Sequence, residues 1–206
     1  MLNALWFRPD GGRERYLSQY GEASRPITAA AGAEVLFPFV PVDAALEGGF
    51  DADLFGLMRY PSADAFDDMW SSDQYAAVAP LRANALDRAV LTRCAIEPAG
   101  AAAFDLRSGV VVMNALWFVP GGRARYDEYL AEVAPIVEEL GGALLSPRLV
   151  PVVAVEGDFV PDLVFFGYYP SKEAHVALRT HPGFPDAASV RASALERSVT
   201  STLLVP

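Results

Sequence analysis

The chain has 206 residues, with 16 Lys plus Arg against 26 Asp plus Glu, a net charge of -10, and 52% hydrophobic residues. That is apolar material enough for a core of ordinary size and length enough for two small domains at most. The acidic balance excludes the clustered cations of a nucleic-acid footprint and disfavours an anionic membrane surface.

The first residues, Met1 to Phe7, carry no basic segment before a short apolar run, so no export signal is expected. No uninterrupted apolar stretch approaches the roughly 20 residues of a bilayer span. The lone cysteine, Cys94, rules out an intrachain disulfide framework and fits a reducing cytoplasm. Leu2 to Phe7 reads as a first strand that stops at the turn residues Pro9-Asp10-Gly11-Gly12. A helix follows, with Tyr16, Tyr20, Ala23, Ile27 and Ala30 on one face and a glycine stop at Gly32. Val35 to Val42 and Leu54 to Tyr60 are the next strands. Ser62 then caps a helix that breaks at Ser71-Ser72-Asp73, and a further helix leads into a closing strand from Ala89 to Ile96.

All of this happens a second time. Asn3-Ala-Leu-Trp-Phe7 returns as Asn114-Ala-Leu-Trp-Phe118, and Gly11-Gly-Arg-Glu-Arg-Tyr16 as Gly121-Gly-Arg-Ala-Arg-Tyr126. Val40-Pro-Val42, Tyr60-Pro-Ser62 and Arg82-Ala-Asn-Ala-Leu-Asp-Arg88 follow in the same order as Val150-Pro-Val152, Tyr169-Pro-Ser171 and Arg191-Ala-Ser-Ala-Leu-Glu-Arg197. Two copies, residues 1–98 and 110–206, are therefore expected on either side of a linker of small residues, 99–109. The second copy has the stronger first helix: Tyr126, Tyr129, Leu130, Val133, Ile136, Val137 and Leu140 share one face. Each copy reads βαββαβ, the ferredoxin-like unit, in an α+β fold. Strands such as Leu163 to Tyr169 are apolar on both faces, so the sheets of the two copies are expected to pack on each other as an intramolecular pseudo-dimer, alone or paired again as a homodimer.

The motif positions Arg15-Tyr16, Tyr60-Pro61-Ser62, Tyr75 and Arg82, repeated as Arg125-Tyr126, Gly141-Gly142, Tyr169-Pro170-Ser171, Phe184 and Arg191, resemble the family known as domain of unknown function number 1330. The resemblance implies the dimeric α/β barrel fold shared with antibiotic-biosynthesis-type monooxygenases, small polyketide cyclases and the chlorite dismutase group. It also implies a pocket for a small molecule. A reaction taken from fold relatives alone is analogy.

No phosphate-binding glycine motif, nucleophile elbow or paired-histidine metal motif is present. The two histidines, His175 and His181, are six residues apart, about 600° around a helix, which disfavours a shared metal. His181 lies where a helix breaks at Pro182-Gly183 and is the expected general base, while His175 reads as solvent-facing. Asn114 and Tyr126 would orient an enol or phenolate oxygen. Asn3, Tyr16, Trp70, Tyr129 and Tyr168 are expected against the ligand, and Arg59, a charge in an apolar strand, needs a carboxylate or an anionic ligand. Arg82 and Arg191 recur at one helix position and are read as structural ion pairs. The function that follows is an enzyme without cofactor or metal, a cyclase, isomerase or monooxygenase-like protein acting on a largely apolar or aromatic oxygenated metabolite. The alternatives are a binding protein with the same pocket and a haem protein with one axial histidine.

Overall fold

The computed structural model describes residues 1–97 and 104–205. It is mixed α+β, with helices and eight strands whose pairings are antiparallel. The expected linker lies outside the described residues as far as residue 103; just beyond, the Phe104 ring meets Phe166 edge-on with centroids 5.2 Å apart.

The first copy runs β1 (Leu2–Phe7), α1 (Gly12–Glu14), a π-helical turn (Arg15–Tyr20), α2 (Gly21–Ala30), β2 (Glu34–Glu47), β3 (Leu54–Arg59), α3 (Ala63–Trp70), α4 (Asp73–Ala85) and β4 (Leu86–Ile96). The second runs β5 (Gly109–Phe118), α5 (Gly122–Glu139), β6 (Ala143–Glu156), β7 (Leu163–Tyr169), α6 (Lys172–Thr180), α7 (Phe184–Ala194) and β8 (Leu195–Val205). Within each copy the strands lie in the order fourth, first, third, second, the arrangement of the split βαβ unit. Ser62 and Ser171 cap their helices as expected, accepting from the backbone N–H of Ala65 at 3.0 Å and Ala174 at 3.2 Å.

The chain divides into two compact units that do not follow the copies strictly. Unit 1 holds residues 1–39 and 52–93 together with 153–159, and unit 2 holds 94–152 and 160–206 together with 40–51. The cause is the length of β2 and β6, at 14 residues each. β2 does not end at Val42; it runs on to Glu47, where residues 42–47 pair with β8. The far end of β6 belongs to unit 1, and just beyond it Phe159 O accepts from Thr92 Oγ1 at 2.7 Å.

The core of unit 2 is built on the apolar face of α5, where Tyr126, Leu130, Val133 and Val137 are buried against β5 and β7. β7 is buried along its whole length, on both faces. The core of unit 1 is more aromatic, with Tyr20, Phe66 and Tyr75 at its centre.

The two first helices differ in one instructive way. The helical run of the first copy is one residue longer than α5, and the π-helical turn at Arg15–Tyr20 absorbs the excess. A single wide turn leaves the flanking helix faces in phase, so Tyr16 and Tyr20 sit together much as Tyr126 and Tyr129 do: their centroids are 5.0 Å and 5.1 Å apart. Each first helix also starts hard against the end of the last one. A Cβ on Gly12 would lie 2.2 Å from Ala85 O, and one on Gly122 would lie 2.1 Å from Ala194 O.

Candidate functional site

Each unit has a cavity between its first helix, its sheet and its third-strand helix. That of unit 2 holds about 390 Å³ and that of unit 1 about 380 Å³, room for a small organic molecule in either.

At the polar end of the unit 2 cavity, α7 presents Arg191, whose Nη2 is 2.8 Å from Glu47 Oε2. Ser198 Oγ also donates to Glu47, and the Thr200 hydroxyl lies 3.4 Å from both Glu47 Oε2 and Asn114 Oδ1. Burial works against the charge of Glu47, but Ser198 and Arg191 hold its carboxyl below the usual range. Burial also opposes the Arg191 charge, and the nearby tyrosine Tyr126 and Glu47 more than restore it. Asn114 sits where β5 faces the cavity, and its Nδ2 donates to Val112 O at 3.3 Å.

The apolar wall is formed by Tyr129, Phe165, Tyr169 and Phe184. His175, half-buried on α6, completes it, its ring centroid 5.0 Å from that of Tyr169. Burial first, and the charge of Arg179 second, push this imidazole below its usual pKa, so it is neutral near pH 7. Tyr126 stands behind Arg191 in the core, fully buried and outside the lining. Burial raises its hydroxyl pKa well beyond the usual tyrosine value, which keeps it protonated.

The unit 1 cavity has the same plan and different chemistry. Arg82 takes the place of Arg191, and its Nη1 donates to Glu156 Oε1 at 2.6 Å. The carboxylate comes from the far end of β6, as Glu47 comes from the far end of β2. Phe66 and Trp70 occupy the helix positions that His175 and Arg179 hold in unit 2, and their rings stack 5.5 Å apart at 24°. Trp70 meets Tyr75 at 4.6 Å, and the Tyr75 and Tyr20 hydroxyls are 3.2 Å apart. Asn3 and Tyr16 also line this cavity, with Asn3 Nδ2 donating to Met1 O at 3.2 Å.

The sequence candidates therefore separate. Asn114 and Tyr129 meet in unit 2, and Asn3, Tyr16 and Trp70 meet in unit 1. Four candidates lie outside the linings, Tyr126 in the core behind Arg191 and three others elsewhere. His181 follows the last turn of α6, outside the cavity lining, with Nε2 3.2 Å from Glu139 Oε2 and Nδ1 accepting from Gly183 N–H at 3.2 Å. The imidazole that lines the cavity is that of His175, which the helix turns inward. Arg59 ends β3 in solvent and pairs with Glu34, so its charge is not buried. Tyr168 points away from the cavity, because Phe165, Gly167 and Tyr169 take the inner face of the strand, and its hydroxyl donates to Ser108 O at 3.2 Å. Sequence reasoning missed Glu47 and Glu156. The Glu-Gly pair at 47–48 and again at 156–157 was the available signal.

Residues 12–93 match the model of the family described as Domain of unknown function (DUF1330). The second copy, with His175, lies outside the matched span. No curated protein matches the chain in sequence. Among solved structures, it is similar to an anthrone oxidase-like protein at 15% identity and a TM-score of 0.57, over 100% of this chain and 90% of that one. A candidate monooxygenase from Lactobacillus acidophilus gives 11% identity and a TM-score of 0.54 over 98% and 91%. A further candidate monooxygenase, from Fusobacterium nucleatum, gives 11% and 0.53 over 99% and 90%. At these identities the likeness is one of fold, and it is shared along both copies.

Proposed function

We propose that the unit 2 cavity is the active site of a cytoplasmic enzyme that takes a proton from a small, largely aromatic, oxygenated metabolite, with His175 as the base. The observation that carries this reading is a half-buried, neutral imidazole lining the same cavity as a set of groups suited to an oxyanion. Arg191 and Asn114 would receive the enolate or phenolate oxygen as charge develops on it. Glu47 holds Arg191 in place, and Tyr126 closes off the side of the guanidinium away from the ligand. Tyr129, Tyr169 and Phe184 supply the flat walls that an aromatic ring requires. This chemistry asks for no cofactor. The resulting anion is the species from which isomerisation, cyclisation or reaction with dioxygen begins, and a fold shared with proteins named for oxidase and monooxygenase activity is in keeping with that.

Anthrone is a suitable probe, since loss of a proton from its ring CH₂ places negative charge on its oxygen. The enzyme should accelerate exchange of solvent deuterium into that position. His175→Gln should lower the rate about 10²- to 10⁴-fold with melting unchanged. The working form is the neutral base, so kcat/KM should fall with acid through one ionisation below the ordinary histidine value of about 6.5. Wild-type exchange by a folded His175→Gln protein would remove the base from the scheme. Binding of anthrone without exchange would make the cavity a binding site only.

A further inference from the structure

The unit 1 cavity contains no imidazole, and the features that replace it point in one direction. Where unit 2 has His175 and Arg179, unit 1 has the stacked rings of Phe66 and Trp70, continued by Tyr75 and bordered by Tyr60, whose ring meets Phe66 edge-on at 5.2 Å. This is a surface for a flat ring. Polar groups are present at its edge, but they are hydroxyls and an amide: Tyr16, Tyr20 and Asn3.

The charge of the cavity is already balanced. Arg82, whose side chain is only 8% exposed, is paired with Glu156, and its guanidinium lies 6.0 Å from the centre of the Trp70 ring. Its Nη2 is sealed from water with no hydrogen-bond partner among the described residues. Arg25 also borders the cavity, but on the exposed side of α2. Burial raises the hydroxyls of Tyr16, Tyr60 and Tyr75 above the usual tyrosine value, Tyr60 to about 12, and the same penalty would fall on an anion placed among them.

We infer that the unit 1 cavity is a second ligand site, separate from the unit 2 site, which takes an uncharged flat aromatic molecule bearing hydroxyl or carbonyl oxygen and performs no acid–base step on it. The ring stacks on Trp70, and the ring oxygen meets the tyrosine hydroxyls and the edge of Arg82. The two copies have thus kept one arginine–glutamate frame and divided its use.

The test uses the full chain with 2-naphthol, neutral at pH 7, and 2-naphthoate, an anion of the same shape. The indole N–H resonance of Trp70 reports unit 1, and the ring resonances of His175 report unit 2. Naphthol should shift the Trp70 signal and bind there at least about tenfold more tightly than naphthoate. Trp70→Leu should weaken the naphthol site at least about tenfold and leave the response of His175 as it was. Tyr75→Phe, which removes one hydroxyl and little else, should weaken it less and serves if Trp70→Leu does not fold. An undisturbed Trp70 signal at millimolar naphthol would overturn the inference. So would tighter binding of naphthoate, or unchanged affinity in both variants. None of these results bears on His175, whose role is decided by exchange into anthrone.

Discussion

Replacing Glu156 by alanine isolates the energetic centre of unit 1. Arg82 keeps its charge in the native protein because burial, which alone would weaken it, is outweighed by the hydrogen bond and the charge of Glu156. The arginine side chain is 8% exposed and the glutamate 36%, so the loss leaves a buried cation to which water has partial access. Orphaning one partner of a buried pair costs about 3–5 kcal/mol, and the partial access of water places Glu156→Ala near 3 kcal/mol, the low end of that range. For a chain of this length, about 2–4 °C per kcal/mol converts this to a fall in Tm of roughly 6–12 °C. Glu47→Ala is the control. Its side chain is 46% exposed and that of Arg191 22%, so solvent can take over there and about 1 kcal/mol should be lost. Urea unfolding of Glu156→Ala, Arg82→Met and the double variant closes the cycle, and Arg82→Met should recover most of what Glu156→Ala loses. A loss below about 1 kcal/mol for Glu156→Ala, or a double variant no more stable than that single one, would refute the argument.

Gly122→Ala should cost about 1–3 kcal/mol by forcing the start of α5 away from Ala194 O, whereas Gly121→Ala meets no atom within 4 Å and carries only the ~1–2 kcal/mol penalty of its left-handed backbone. Calorimetric melting of the two variants separates steric from conformational cost, and an undisturbed Gly122→Ala would mean that the helices can part freely. Arg59→Met should lose no more than about 1 kcal/mol, since its pair with Glu34 stands in solvent. A urea midpoint shifted by three times that amount would show that the strand end is less open to water than its exposure indicates.

Much of the architecture was legible because it rests on local rules applied twice. Serine before a polar first turn gives a cap, a glycine after an amphipathic run gives a stop, and the repeated order of elements gives the ferredoxin-like topology. Both recurring arginines proved to hold carboxylates, as their repetition at one helix position suggested. The carboxylates themselves were not legible. Glu47 and Glu156 stand at what reads as the start of a turn, and only the ladder between the far end of β2 and β8 shows that the strand continues that far. The choice between the histidines depended on rotation about one helix. His175 occupies the position of Phe66, a buried core residue of the other copy, and that comparison carried more information than the polarity of its neighbours Lys172 and Glu173. Arg59 misled because an apolar strand sequence does not disclose which of its ends reaches water.

The exchange of strand ends between the copies has a consequence for how such a chain can change over time. Each arginine is inherited with one copy and its carboxylate with the other, Arg82 with Glu156 and Arg191 with Glu47. A substitution in the first copy is therefore exposed to selection through the second site as well as its own. The duplicates could diverge in the residues each cavity owns outright, as Phe66 and Trp70 have from His175 and Arg179. They could not diverge in the glutamates without damaging a neighbour. A gene fragment that encodes the first copy carries the residues that line the unit 1 cavity but lacks Glu156, the partner of its arginine.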